Sequence, residues 1–413
     1  MQQQCANGTD LSETILQTID SYVEQNIHIY SEPKFLDKIL DNITDLISIT
    51  LAPVPDFNEI ELIILISENI QYYFATIGIP RSYCGSIILK NVDEGIITEK
   101  LNRLRAIEQP PQKSSGWYKQ RHGMLTASSF WQAIDTQAAQ NRLIYKKCMP
   151  LNMGKCFNVN INSPMHWGQK YESVSQRFYE HMYSTELEEF GCLQHSRHQE
   201  VGASPDGINN KKGNVRYGRL VEIKNIVNRE ITGIPKKAYW IQMQLQMEVT
   251  DLNECDFLET RFKEYETEED FLKDGGFDDC KKVKGLIIQF SGRDGPIYKY
   301  SPFLADSDVV AKWLSACLDN NETMTWIRNI YWALEEYSCI LVPRNKKWFE
   351  SIVPQFEKIW KTILYEREHG FAHRKAKRRP QRSAKENIIL KVRTESFDNA
   401  DLYSSGGLPA VET

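Results

Sequence analysis

The run Ser204-Pro205-Asp206-Gly207, followed further on by Leu220-Val221-Glu222-Ile223-Lys224, decides how this chain is read. Proline and glycine on either side place Asp206 in a tight turn or at a strand end. The second run reads as a strand. Its period of two sets Glu222 and Lys224 on one face and Val221 and Ile223 on the other. Asp206 stands sixteen residues before Glu222, so it can arrive from a neighbouring strand. Two carboxylates and an ammonium gathered in this way suit a hard divalent cation. Mg²⁺ takes one or two carboxylates, a carbonyl and waters, and leaves room for a substrate phosphate. The lysine can then orient or deprotonate a water whose pKa the ion has lowered. Taken alone, a Glu-x-Lys pair is most often an exposed salt bridge worth under about 1 kcal/mol. The Asp-Gly turn at this distance weakens that bland reading.

Outward from these two runs, residues 117–300 alternate helical and strand-like segments. Helices are expected near 126–140, 165–183 and 235–248, and strands at 188–193, 200–203, 219–224, 254–260 and 283–290. This is an α/β (α+β) core with mixed order. Residues 264–282 are acidic and contain glycine, which reads as a surface insertion. Upstream, Gln109-Pro110-Pro111-Gln112-Lys113-Ser114-Ser115-Gly116 is loop chemistry and marks a boundary. Before it, Leu11, Ile15, Ile19 and Val23, then Phe35, Ile39, Ile43, Leu46 and Ile47, recur at helical spacing. Asp10, with Glu13 three residues on, fits a capping box opening the first helix. Residues 305–368 read as helical, with Trp313, Trp326, Trp332, Trp348 and Trp360 as core packing. The expected organisation is therefore a helical unit at 1–108, the core at 109–302, a helical extension at 303–372 and a basic, disordered tail at 373–413.

The 413 residues are 41% apolar and 25% charged, which excludes wholesale disorder. No apolar run approaches the roughly 18–20 uncharged residues that span a membrane. The first residues, Met1-Gln2-Gln3-Gln4-Cys5, lack a basic and apolar leader, so an intracellular protein, in host cytoplasm or nucleus, is expected. Nine cysteines with no C-x-x-C pair point to reduced thiols. The net charge of −5 hides a polarity along the chain: residues 1–110 carry 16 acidic against 7 basic side chains, and Arg374–Lys385 holds seven basic residues in twelve. Such a run is usually a solvated tail or an import signal.

Further blocks stand in order around the two central runs. Trp117-Tyr118-Lys119-Gln120-Arg121-His122-Gly123-Met124-Leu125-Thr126-Ala127-Ser128-Ser129 and Trp167-Gly168-Gln169-Lys170-Tyr171-Glu172 precede them. Tyr239-Trp240-Ile241-Gln242-Met243-Gln244-Leu245-Gln246-Met247 follows. Together they resemble the lambda exonuclease / YqaJ-like viral recombinase family of the PD-(D/E)xK nucleases, large-DNA-virus type, over roughly residues 105–300. The resemblance implies a restriction-endonuclease-like core, a mixed central sheet flanked by helices. It assigns Asp206, Glu222 and the Ile223 carbonyl as ligands of Mg²⁺, with Mn²⁺ able to substitute, and Glu172 as support for a second metal position. Lys224 would position the nucleophilic water and Gln242 would help hold the lysine and the water. Arg121 and Ser128 match positions that grip a DNA phosphate. An acid found in some relatives about ten residues before the Asp-Gly turn has no counterpart in His195-Ser196-Arg197-His198-Gln199-Glu200.

The implied activity is 5′-to-3′ exonucleolysis at double-stranded DNA ends, serving viral recombination or replication. A single-strand annealing or binding protein would be a partner, and a homo-oligomer is compatible. The alternatives are a structure-specific or repair endonuclease of the same superfamily, or an inactive DNA-binding scaffold. Lys119, Arg121, Lys211, Lys212, Arg216, Arg219, Lys224, Lys236 and Lys237 would make a locally basic groove on an acidic protein. Zinc is a rival through Cys192, His166, His181, His195 and His198, but a second ligand pair at zinc spacing is missing. Cys148, Cys156, Cys255 and Cys280 do not cluster as an iron–sulfur nuclease requires. Neither a G-x-S-x-G elbow nor a P-loop is present.

Overall fold

The computed structural model describes residues 2–26, 35–51, 58–74, 93–112, 114–151, 160–161, 163–279, 281–292 and 295–375. Helices α1 (Gln2–Gln25), α2 (Phe35–Leu51), α3 (Glu59–Tyr72), α4 (Glu94–Arg105) and α5 (Ser115–His122) come first. Next are β1 (Leu125–Thr126), α6 (Ala127–Phe130), α7 (Gln137–Cys148) and α8 (Pro164–Tyr183). Five strands follow: β2 (Leu187–Glu188), β3 (Leu193–Gln194), β4 (Val201–Ala203), β5 (Gly207–Asn209) and β6 (Leu220–Asn225). The order continues with α9 (Lys237–Thr250), β7 (Glu254–Glu264), α10 (Glu268–Lys273), β8 (Lys284–Gly292) and β9 (Gly295–Tyr300). It closes with α11 (Ser307–Asp319), β10 (Thr325–Pro343) and α12 (Lys346–His369). The chain divides into two units, Met1–Gly370 and Phe371–Thr413.

Among the described residues a seven-stranded sheet runs β2-β5-β6-β7-β10-β8-β9, and a small one runs β1-β4-β3. The β6–β7 pair is parallel, with α9 as the crossover, and the other pairs of the large sheet are antiparallel. The fold is thus a mixed α/β sheet flanked by helices. Its main core forms where Tyr171, Val174, Phe178 and Tyr179 of α8 meet Val221, Ile223, Leu258, Phe262, Ile287 and Trp332 of four strands. Val221 and Ile223 face α8, so by the period of two Glu222 faces the other way, toward α9. There Gln246 of α9 meets it.

Three sequence expectations need correction. Residues 303–372 are not a helical extension, because the 19-residue strand β10 lies between β7 and β8 in the sheet. Its Trp, Tyr, Ile and Val content favours a strand. Because the stretch Ile330–Leu334 is buried on both faces, it shows no alternation that would have separated strand from helix. Trp332 is core, whereas Trp326 is half exposed and does not pack as expected. Asp10 does not stand at the start of α1, which opens at Gln2, eight residues earlier. Residues 264–282 hold α10, and its Phe271 is fully buried against Leu286, Val310 and Tyr331, so the segment is more than a surface insertion.

In the first two helices, Ile15, Ile19, Val23, Phe35, Ile39, Ile43 and Ile47 are buried at the expected spacing, while Leu46 points outward. Asp20 of α1 pairs with Lys347 of α12 at 2.6 Å and accepts from the Tyr73 hydroxyl at 2.6 Å. Most of the basic tail lies outside the described residues. No described helix is long and apolar enough to cross a membrane.

Candidate active site

The antiparallel register sets Gly207 against Val221, which brings Asp206, one residue earlier, level with Glu222. Asp206 Oδ2 accepts from the Ile223 amide at 2.7 Å. Gln176, one turn beyond Glu172 on α8, donates to the Asp206 carbonyl at 3.1 Å and to Glu189 at 3.3 Å. Glu222 has no exposed surface. One of its oxygens is paired with the Lys224 ammonium and the other accepts from Gln246 Nε2 at 2.6 Å. The same Gln246 amide reaches the Ser204 carbonyl at 3.2 Å, so one side chain ties the Asp206 turn to the Glu222 strand. Lys224 also lies 5.1 Å from the centroid of the Tyr239 ring, which Arg229 approaches at 5.7 Å.

The electrostatics follow from this crowding. Burial, then the charges of Glu222 and Glu172, push the Asp206 carboxyl well above its ordinary range, against the pull of Lys224. Burial would lower Lys224, but Glu222 and Asp206 outweigh it and hold the ammonium charged far into the alkaline range. Asp206 and Glu172 line one cavity together with Ile223 and Lys224, while Glu222 lies buried behind it, and carboxylate oxygens of this kind are a donor set that fits a hard cation.

Two cavities meet at Glu172 and Asp206. One, of about 510 Å³, is lined by Ile223, Lys224, Arg229, Tyr239 and the start of α8. The other, of about 410 Å³, is lined by Arg121, Ser128, Trp117, Ser204 and Gln242. Arg121 lies 4.6 Å over the Trp117 ring, with its guanidinium 3.4 Å from the Ser204 hydroxyl. Ser128 is exposed on the first turn of α6. The structure therefore brings Arg121, Ser128, Glu172, Asp206 and Gln242 onto one cavity and Glu172, Asp206, Ile223 and Lys224 onto its neighbour. Gln242 lines the cavity wall, and the glutamine that bonds Glu222 is Gln246.

Glu172, Asp206 and Glu222 are not drawn into a tight trio. Among the described residues the metal-capable group with ligand atoms within 4.8 Å of one another is His198, Glu200 and Glu357. Glu222 is instead turned to Lys224 and Gln246. The zinc set of Cys192, His195 and His198 is not assembled: Cys192 is buried beside Met124 and His195 Nδ1 accepts the amides of Arg197 and His198, while His198 belongs to the group with Glu200 and Glu357. Of the iron–sulfur candidates, Cys148 and Cys255 are buried, the Cys148 thiol facing the Ile363 carbonyl at 3.6 Å, and Cys156 and Cys280 lie outside the described residues. Arg216 and Arg219 leave the expected basic groove. Both are buried against Asp256.

Sequence reasoning missed Gln246 and Gln176. The available signal for Gln246 was its place four residues after Gln242, on the same helical face.

Residues 116–253 match the YqaJ-like viral recombinase domain. The chain is similar to the uncharacterized protein R354 of Acanthamoeba polyphaga mimivirus, 33% identical over 310 residues. That match takes in 66% of this chain and 56% of the relative, so the chain spans little more than half of that protein's length. Among solved structures it is similar to an alkaline exonuclease, LHK-Exo, from Laribacter hongkongensis, at 17% identity, 69% of this chain, 100% of that one and a TM-score of 0.34. LHK-Exo in complex with dAMP gives 18%, 62%, 95% and 0.37 in the same order.

Proposed function

Starting from a chain whose residues 116–253 match the YqaJ-like viral recombinase domain, we propose a metal-dependent deoxyribonuclease that degrades duplex DNA from its ends, 5′ to 3′. The observation that carries this reading is the meeting of Asp206, Glu222 and Lys224 beside a cavity lined by Arg121 and Ser128. Asp206, Glu222 and the Ile223 carbonyl would hold Mg²⁺ or Mn²⁺, with Glu172 serving a second position across the cleft. Bound there, the ion supplies Lewis acidity toward the scissile phosphate and makes its water acidic enough to attack at neutral pH.

The chain's own residues do the rest. Lys224, flanked by its two carboxylate neighbours, would orient the attacking water by donating to it. Arg121 presents a planar fork to the terminal phosphate and Ser128 adds a hydroxyl donor. Gln242, on the wall of that cavity, offers its amide to the water or the strand. Gln246 and Gln176 keep Glu222 and the Asp206 turn in place. The product strand would pass to a single-strand annealing or binding protein in the host cytoplasm or nucleus.

The test is a comparison of substrates. A linear 5′-phosphorylated duplex should be degraded in Mg²⁺ and survive in EDTA, while closed circular DNA survives in both. Digestion of the circle would replace this reading with the endonuclease alternative.

A further inference from the structure

The end of α5 carries Arg121, and Gly123–Met124 leads from it through β1 to Ser128. Its carbonyls belong to a helix C-terminus, where the last acceptors lack partners within the helix. Here cations from two other helices take them. Lys147, at the end of α7, is buried at 7% exposure, and its ammonium donates to the Arg121 carbonyl at 2.7 Å and, more closely still, to that of Met124. Arg367 of α12 donates from Nη2 to the His122 carbonyl at 2.9 Å and to the Lys147 carbonyl at 2.9 Å. Its guanidinium is held over the Trp360 ring at 5.4 Å.

Lys147 has no acidic partner among the described residues. Burial, followed by the charges of Arg121, Lys146 and Arg367, pulls its pKa down to about 7. Burying a cation without a carboxylate is costly, and a neutral donor could cap a helix end at less expense. What the lysine adds is a fixed backbone under Arg121 through its two carbonyl hydrogen bonds.

We propose that Lys147 and Arg367 are positioning residues that brace the Arg121–Met124 turn and so aim Arg121 and Ser128 at the terminal phosphate of a DNA strand. The proposal rests on the nuclease reading and deepens it. It also draws α12, outside residues 116–253, into recognition of the strand end.

Binding in EDTA tests the brace without turnover. The full chain is titrated with duplexes ending in 5′-phosphate or 5′-hydroxyl, and the ratio of affinities is read by fluorescence anisotropy. Lys147→Met keeps the length of the side chain and removes its donors. The phosphate preference should fall about tenfold, as for the loss of other outer-layer partners, while affinity for hydroxyl ends stays within about twofold. Arg367→Met should move the ratio the same way and Arg367→Lys should restore part of it, which keeps the test open if Lys147→Met fails to fold. In an Arg121→Ala background Lys147→Met should change the ratio no further. An undiminished preference in both Met variants, or a second loss on top of Arg121→Ala, overturns the brace. A wild-type chain with no phosphate preference overturns the terminal-phosphate reading itself, and the brace with it.

Discussion

Asp206 sits where burial and two further carboxylates oppose its ionisation, and the sign of the consequence can be worked out. A carboxyl whose pKa is raised on folding takes up a proton in the folded state. Stability is therefore greatest on the acid side and falls as pH rises through the window above the ordinary carboxylate range. Asp206→Asn keeps an acceptor for the Ile223 amide and removes the charge. In EDTA at pH 8 this variant should melt above the wild type, with the gap closing as pH is lowered. Added Mg²⁺ should reverse the order, since only the wild type gains from binding it. A variant that melts below the wild type in EDTA at pH 8 contradicts the crowding described here. At this scale the sequence was informative: the Asp-Gly turn and the Glu-x-Lys strand lie where period and turn chemistry put them. Gln246 was only partly legible. Its place four residues after Gln242 puts both on one helical face, but which of the two reaches Glu222 is set by how α9 packs along the sheet.

Among the elements, β10 carries the clearest lesson. Its aromatic residues pack on both faces of the sheet, so the pattern contained no period from which to read a strand. Gly285 of β8, directly opposite Trp332, shows how closely the two strands approach: an added Cβ would come within 2.4 Å of the indole ring. Gly285→Ala must push Trp332 out of the main core or part the strands. It should destabilise the protein by about 1–3 kcal/mol in urea unfolding, the usual range for overpacking. A change under about 0.5 kcal/mol would mean the indole is not seated as described. Helix α8 was legible because Ser163 caps it, Pro164 opens it and its apolar residues recur at helical spacing. The buried lysine of α7 was not, since nothing in a sequence marks which of Lys146 and Lys147 turns inward.

At the scale of the whole molecule, the matched segment 116–253 is not self-sufficient. That segment contains β6 and α9 but stops before β7, the parallel neighbour of β6. Leu258, Phe262, Ile287 and Trp332, which cover Val221 and Ile223, all lie beyond residue 253. A fragment of residues 116–253 should therefore show no cooperative thermal transition by circular dichroism, whereas residues 93–375 should show one. A folded, cooperative 116–253 fragment would falsify the view that the later strands complete the core. The boundary at 303 failed for the same reason. The partner of β7 is supplied more than sixty residues later in the chain, and such long-range pairing leaves no local trace.

The central claim is that Asp206, Glu222 and Lys224 hydrolyse DNA with a divalent cation, and one assay meets it directly. Release of nucleotides from a linear 5′-phosphorylated duplex is followed in Mg²⁺ for the wild type and for Lys224→Ala, with duplex affinity measured in parallel. The expected result is digestion by the wild type, a loss of about 10²–10⁴-fold in the variant, and equal affinity in both. Equal digestion by the two proteins, or none by either in the presence of tight binding, contradicts it.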